Sequence, residues 1–514
     1  MPIAMRLFLV GSVITLLTGC AQVGVLSGGE KDETAPVPTT RPEQGQTQFT
    51  GNSIEFTFDE HVTLNNPKEN IFMIPQVNGI QAVLKKKTLT VRWNETLLPN
   101  TTYVMYLNNA VKDIHEGNDS LMTYVFSTGE MIDSLRYEVE LVDAWSNEAM
   151  KNIFIGLYSD TNTTSPLYFS RSNSRGQVQF TNLKSGSYTV RAFPDEDKDR
   201  KLNRSEMRGF RESTLVLDSS IIDTVPIRLS KPVELKARNP SFIGPGLIGV
   251  GAPFSLESAR FEILGQQVTR ILPIHSDSLL LGFCPDTLVR AELLVTHQYG
   301  SDTLRFSTPK REKEKPLIWK SEASKKGIGP HQNFEFELND VITSLDKERI
   351  QLMDLTDSSS LEILSAQFDF NKIRIEFDRK NRKSVELKLS PGAVVGACGK
   401  PSEALQQVIQ LKSEKDYGTL FVKFISDDRP LIVELMEGNS VVERKRCSSI
   451  EGIRFDRIEP AEYSFRVIHD QNNNGRWDVG DEAENRQPER VFYFTTTTKV
   501  RGNWESEVEL DLSK

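Results

Sequence analysis

Cysteine is scarce: the four residues, at 20, 284, 398 and 447 of a 514-residue chain, make no disulfide framework. Beyond Cys20 at most one bridge can form, and buried thiols are the expectation for Cys284, Cys398 and Cys447. Histidine is scarce too. The six are His61, His115, His275, His297, His331 and His469, no two close together, so no His-Glu-x-x-His spacing arises. The sequence holds no Gly-x-Ser-x-Gly elbow. Gly399-Lys400 has no glycine run before it and Pro401 after it, which argues against a phosphate loop. Asp59 and Glu60 are adjacent, and on a strand they point to opposite faces. A basic excess is also missing: the net charge is −9, which argues against a nucleic-acid partner. No apolar run after residue 20 approaches the length a spanning helix needs. An enzyme would therefore need a site assembled from distant residues, and the reading is non-catalytic.

What is present begins at the N-terminus. Arg6 precedes a mostly apolar run, Leu7 to Leu17. As helix, that run would reach roughly 16 Å, about half of a bilayer core. A basic start, a short apolar core and small residues before a cut are marks of a secretory signal. Leu17-Thr18-Gly19-Cys20 resembles the bacterial lipobox. That resemblance implies cleavage before Cys20, diacylglycerol on its sulfur and acylation of the new N-terminus, and several acyl chains hold stably to a membrane. Residues 20–48 read as the lipidated cysteine and a flexible tether, rich in Gly, Pro and polar residues. Gly28-Gly29-Glu30-Lys31-Asp32 with Pro36 resembles the segment after the lipid cysteine in Ig-like lipoproteins of Bacteroidota. Ala21, where Asp would favour inner-membrane retention, points by that resemblance to the outer membrane.

The rest of the chain, 38% apolar and 26% charged, is globular in composition and reads as all-β. Ile54, Phe56 and Phe58 alternate with polar residues, as do Leu89, Val91 and Trp93, between Asn, Gly, Pro and Asp turns. Residues 49–129 resemble the bacterial Ig-like domain first described in surface-layer proteins. Residues 130–228 carry Gly186-Ser187-Tyr188-Thr189-Val190 and resemble the prealbumin-like sandwich. Residues 229–315 read as a further Ig-like unit, closed by Phe306-Ser307-Thr308, and a charged linker. Residues 316–414 and 415–514 repeat the first two modules. Phe334, Phe336 and Leu338 match Ile54, Phe56 and Phe58 at an offset of 280. Val178, Phe180, Leu183, Tyr188, Val190 and Asp195 meet Ile453, Phe455, Ile458, Tyr463, Phe465 and Asp470 at a constant offset of 275. The fold class is thus a tandem of Ig-like and prealbumin-like β-sandwiches behind a lipoprotein signal.

Two acidic loops follow equivalent strands. In the last module, Asp470, Asn472, Asn474, Asp478 and Asp481 fall at positions 1, 3, 5, 9 and 12, with Gly475 at 6 and the Arg476 carbonyl at 7. That is the oxygen spacing of a calcium loop. Its low charge implies weak binding, about 10⁻⁴–10⁻³ M. An Asn-rich turn held by its own side chains explains the same residues. In the earlier copy, Asp195, Asp197, Asp199, Asn203 and Glu206 take those positions, but Arg200 replaces the glycine. The expectation is an outer-membrane-anchored binding, adhesion or envelope-scaffold protein with an unknown protein or glycan partner. The alternative is an accessory glycan- or nutrient-binding lipoprotein of an uptake system. Trp93, Trp145, Trp319, Trp477 and Trp504 are then the candidate sugar platforms, against a role in the sandwich cores.

Overall fold

Alternating apolar residues become strands whose inward faces close on one another. In the computed structural model, Ser53–Phe58 buries Ile54, Phe56 and Phe58 and exposes Glu55 and Thr57. Phe334–Leu338 does the same with Phe334, Phe336 and Leu338. Strands hold 53% of the residues and helices 2%, so the chain is all-β. The structure describes residues 34–114, 119–159, 165–244, 246–264, 268, 270–284, 290–307, 317–321, 327–379, 382–397, 399–425 and 430–513. The signal segment with Cys20 and the linker at 309–315 lie outside the described residues. Among the described residues no helix is long and apolar enough to cross a membrane.

The first and fourth modules share a strand order. Pro38–Arg41, Ser53–Phe58, Thr88–Arg92 and Gln81–Lys85 form one sheet, in that order across it. Trp319–Lys320, Phe334–Leu338, Lys372–Phe377 and Ile363–Asp369 form its counterpart. The opening strand Pro38–Arg41 falls inside the stretch read as tether, and its register with Glu55–Phe58 makes it part of the domain. The third module also has two facing sheets, of four and three strands, around Phe254, Leu281, Phe283 and Leu293.

The second and fifth modules match in finer detail. Leu135–Asp143 pairs antiparallel with Gln177–Leu183 and parallel with Ile227–Leu229. Gly418–Ile425 pairs antiparallel with Ile453–Ile458 and parallel with Glu505–Asp511. The Tyr188 hydroxyl donates to the Lys184 carbonyl at 2.7 Å, and the Tyr463 hydroxyl to the Glu459 carbonyl at 2.8 Å. Each tyrosine thus buries its ring while its polar end finds an acceptor four residues back. Asn182 and Arg457, 275 apart, both take positive φ (56° and 53°) where the strand is irregular. The constant sequence offset is therefore a shared backbone path.

The modules also fold back on one another. Phe72 of the first stacks on Phe169 of the second at 5.7 Å. Between the third and fourth, Gly244 passes so close to Asn339 that an added Cβ would lie 1.6 Å from its carbonyl oxygen. Lys412 of the fourth pairs with Glu459 of the fifth at 2.8 Å. The fifth then returns to the second, 275 residues earlier. The buried-thiol expectation holds for Cys447, a buried free cysteine. It fails for Cys284, which is disulfide-bonded. Cys398 lies outside the described residues.

Candidate functional site

The two acidic loops leave equivalent strands, Gly186–Phe193 and Glu462–His469, and run in the same way. In each, the first aspartate is buried and caps the turn. Asp195 accepts the Arg200 N–H at 2.8 Å, and Asp470 accepts the Gly475 N–H at 2.8 Å. The residue at position 6 has positive φ in both, 60° for Arg200 and 79° for Gly475. That conformation is free for glycine and costs a residue with a Cβ. Positions 3 and 9 are joined in both, Asn203 to Asp197 at 3.1 Å and Asn472 to Asp478 at 2.6 Å.

Their surroundings differ. Asp195 is ion-paired with Arg171, and Asp195, Asp197 and Asp199 bring carboxylate oxygens within 4.8 Å of one another. Glu206 turns back to accept the Asn203 N–H at 2.8 Å. Arg200 explains its unfavourable φ: its guanidinium lies 4.3 Å over Phe169 and 5.9 Å over Phe72, closing the contact between the first and second modules. Burial lowers its pKa.

In the last module, among the described residues, no basic side chain pairs with Asp470. Asn474 donates to Asp478 at 2.6 Å, and the Arg476 N–H donates to the Asn474 carbonyl oxygen of the side chain at 2.9 Å. Asp481 is not brought in. Its carboxylate accepts from Ala483 and Glu484 in a separate turn, at 3.0 and 3.3 Å. A residue that spacing missed takes that place. Glu489 is 2% exposed and accepts from the backbone of Gln471 (2.8 Å) and Asp478 (3.0 Å). Burial first, and the charges of Asp478 and Asp470 after it, push its carboxyl up to about 7. The turn at 481–486 inserts residues that a count along the chain cannot anticipate, so no spacing signal points to Glu489. Asp470, Asn472, Asn474, Asp478 and Glu489 offer the hard oxygens that calcium takes, while among the described residues it is Asp195, Asp197 and Asp199 whose carboxylate oxygens lie within 4.8 Å of one another.

The same loop is also a clasp. Trp477 meets Trp145 of the second module edge-on at 5.1 Å, and Arg466 lies 4.7 Å over Trp145. Ser230 accepts the Gly480 N–H at 3.0 Å, and Gln487 donates to the Phe210 carbonyl at 3.0 Å. Arg191 pairs with Glu482. Arg191 and Arg466 are the same position in the two repeats, and both reach across this contact. Arg476 adds a 3.2 Å bond to the Pro253 carbonyl of the third module.

The tryptophans divide accordingly. Trp93 is core, 1% exposed. Trp145 and Trp477 hold the clasp. Trp319 is half-buried and packs edge-on against Phe336 at 6.4 Å. Trp504 is exposed, 63%. Of the histidines, His297 is buried against Phe254 and pairs with Asp302 at 3.0 Å, and His331 is exposed beside Glu414. His115 lies outside the described residues.

Residues 32–128 match the family model of the bacterial Ig-like domain. No curated protein matches the chain. Among solved structures it is similar to the Bacillus anthracis TIE protein, at 8% identity over 94% of this chain and 75% of that one, with a TM-score of 0.13. It is similar to a Bacteroides ovatus protein, SGBP-B of a mixed-linkage glucan utilisation locus, solved with a heptasaccharide. There identity is 9% over 70% of this chain and 93% of that one, with a TM-score of 0.22. It is similar also to surface layer protein SbsC, at 10% identity over 90% and 67% of the two chains, with a TM-score of 0.14. None of these likenesses bears on ligand or partner.

Proposed function

We propose that this chain is a non-catalytic, lipid-anchored scaffold or binding protein of the bacterial outer membrane, held by acyl chains on Cys20. The observation that supports it best is the clasp. Two copies of one module, 275 residues apart, meet through Trp145 and Trp477, with Arg191 and Arg466 crossing the contact. A chain that folds its last module back on its second presents one stiff multi-sandwich body to a partner, rather than a string of independent beads. Seventeen residues, 21–37, separate Cys20 from the first strand, so in this reading an anchor on Cys20 holds the body close to the headgroups.

Calcium belongs to this reading as a stiffener of the clasp loop, held by Asp470, Asn472, Asn474, Asp478 and the Arg476 carbonyl, with Glu489 in place of Asp481. In the weak range such a loop is filled outside cells and empty in low calcium. The glycan alternative is narrowed to the exposed face of Trp504, because four of the five tryptophans are otherwise engaged.

The test is growth with an alkyne-tagged fatty acid, followed by membrane fractionation and protease shaving of intact cells. The expected result is label on the wild type in outer-membrane fractions and none on Cys20→Ala. An unlabelled wild-type chain sinks the anchor. Crosslinking pull-down from the same cells identifies the partner.

A further inference from the structure

The third and fourth modules are locked where their backbones approach. An ideal Cβ on Gly246 would lie 2.1 Å from Asp340 Oδ1, and one on Gly396 would lie 2.3 Å from Asp340 Oδ2. Asp340 is buried, and its carboxylate fills the space that side chains at those two positions would need. Leu247, Leu280, Val341 and Phe370 add a small apolar cluster between the modules. Leu280 of that cluster also lines a cleft of about 480 Å³ between the two modules. Sites for small ligands run from roughly 300 to 1,000 Å³. One wall of the cleft is apolar: Leu272, Pro273 and Ile274, from the third-module strand Arg270–His275.

The floor is the outer face of the fourth module's sheet, and its charges are laid out in rows. Glu335 stands opposite Arg374, and Arg374 opposite Gln367. One step along, Glu337 stands opposite Lys372, and Lys372 opposite Asp369. Arg374 pairs with Glu335 at 2.7 Å and Lys372 with Glu337 at 3.0 Å. Arg270 reaches from the third module to Asp369 at 3.5 Å. The Ig-like frame does not demand these charges. In the first module Thr90 and Thr88 stand where Arg374 and Lys372 do, opposite Glu55 and Thr57. Asn371 lines the same cleft and is 5% exposed. Its amide donates to the Leu338 carbonyl at 3.1 Å, while its side-chain oxygen has no partner among the described residues. A buried acceptor without a donor is costly, and a ligand hydroxyl satisfies it.

We propose that this cleft is a glycan-binding site for a neutral pyranose segment, with its hydroxyls on the Glu335–Arg374 and Glu337–Lys372 pairs and on Asn371, and its C–H face on Leu272, Pro273 and Ile274. Each charge of the floor has an opposite charge beside it, so donors and acceptors lie side by side with no net field to favour an ion. Adjacent hydroxyls, each both donor and acceptor, use the two together. The aliphatic wall takes the apolar face of the ring out of water. An extended peptide fits less well. Both strands that face each other here are sheet edges, but Arg270–His275 carries Pro273 in its middle and a register shift after it. The register of Ile363–Asp369 is shifted as well, so neither edge offers a regular ladder for strand addition. Trp504 is the tryptophan left to a sugar, yet a ring held between an aliphatic wall and paired charges needs no tryptophan. The inference rests on the binding reading of the proposed function, in its glycan form, and not on the anchor at Cys20.

The experiment uses the purified full chain. The probes are neutral oligosaccharides of glucan, mannan, xylan and galactan, with oligogalacturonate as an acidic comparison and an extended Thr-Val repeat peptide as the other polymer. Isothermal titration is expected to show binding of at least one neutral probe, and hydrogen exchange is expected to show protection of peptides covering 270–275 and 367–374. Arg374→Ala together with Lys372→Ala should lower the affinity by about tenfold or more. Thr90→Ala, at the matching place in the first module, should leave it unchanged. The exchange measurement on the unaltered chain stands even if a variant folds poorly. Failure of every neutral probe to bind overturns the proposal. Tighter binding of oligogalacturonate or of the peptide, or protection confined to the peptide that holds Trp504, overturns it as well. Fatty-acid label on Cys20 is read in a separate assay, so loss of the anchor and loss of the cleft give different results.

Discussion

Glu489 gives the sharpest test of how the clasp loop is built. Its carboxyl is 2% exposed, beside Asp470 and Asp478, and is pushed from 4.5 to about 7. A carboxyl whose folded pKa lies above its unfolded value holds more protons when folded. Its contribution is therefore fully present below pH 4.5 and is lost as pH rises through about 7. The shift corresponds to roughly 3 kcal/mol of local stability lost between pH 4.5 and pH 8. Glu489→Gln removes the titration. It also gives up one of two backbone N–H contacts, since an amide offers a single oxygen, at about 1 kcal/mol whatever the pH. The two lines must then cross. The variant should be less stable than wild type by about 1 kcal/mol near pH 5 and more stable by roughly 2 kcal/mol near pH 8. Hydrogen exchange by mass spectrometry on peptides spanning 465–495, corrected for intrinsic rates, reads this loop without unfolding the other modules. The expected wild-type change in protection is about a hundredfold across that range, in calcium-free buffer. Parallel lines for the two proteins would refute the reasoning.

Four further outcomes follow from the same geometry. Millimolar calcium is expected to raise the thermal unfolding of the fifth module over that in chelator and to reverse the pH slope of Glu489; no shift, with Asp470→Ala unchanged as well, sinks the metal reading. Trp477→Ala should weaken the clasp by about 2 kcal/mol, since a half-buried ring loses part of the 3–5 kcal/mol of a core aromatic, and small-angle scattering should then show a larger radius of gyration. Tyr188→Phe and Tyr463→Phe should each cost about 1 kcal/mol by calorimetry, and by similar amounts, because each loses one hydroxyl bond to a carbonyl. Asp340, raised to about 6 chiefly by burial, should make the contact of the third and fourth modules looser as pH rises from 4 to 7; Asp340→Asn should flatten that dependence in exchange of the 335–345 peptides.

The repeat was legible because it is written in core residues. Tyr188 and Tyr463, Val190 and Phe465, and Asp195 and Asp470 hold one register over a long stretch, and each fills the same place in its module. Periodicity reports such positions since burial repeats with the strand. The clasp left no such trace. Trp145, Ser230 and Phe210 reach the contact from widely separated positions of the second module, and nothing in the local pattern distinguishes a tryptophan that meets another module from one that fills a core or faces a sugar. The tether was overextended for a related reason. Pro38–Arg41 is an edge strand of intermediate and exposed residues, so it lacks the buried apolar face that marks Ser53–Phe58. The calcium spacing placed Asp470, Asn472, Asn474 and Asp478 together and failed at Asp481, where the chain makes an extra turn before Glu489.

The two loops show what happened to a duplicated device. Both keep the buried aspartate, the positive φ at position 6 and the link between positions 3 and 9. In the earlier copy, Arg200 occupies the position that favours glycine, and its strain is offset by stacking on Phe169 and Phe72. Arg171 neutralises Asp195, so that loop spends its charge on joining the first module to the second. In the later copy, Gly475 relaxes the turn, no basic side chain pairs with Asp470 among the described residues, and the buried Glu489 lies beside it. That loop joins the fifth module to the second and third through Trp477, Gly480 and Arg476. Each copy has become the connector of its neighbourhood, and each pairs one carboxylate with an arginine, Asp195 with Arg171 and Asp478 with Arg476. Exchanging the residues at position 6 separates the two roles. Arg200→Gly should relieve backbone strain yet loosen the first two modules. Gly475→Arg should force a side chain onto Arg446, whose guanidinium lies 1.5 Å from where a Cβ would stand, and open the clasp.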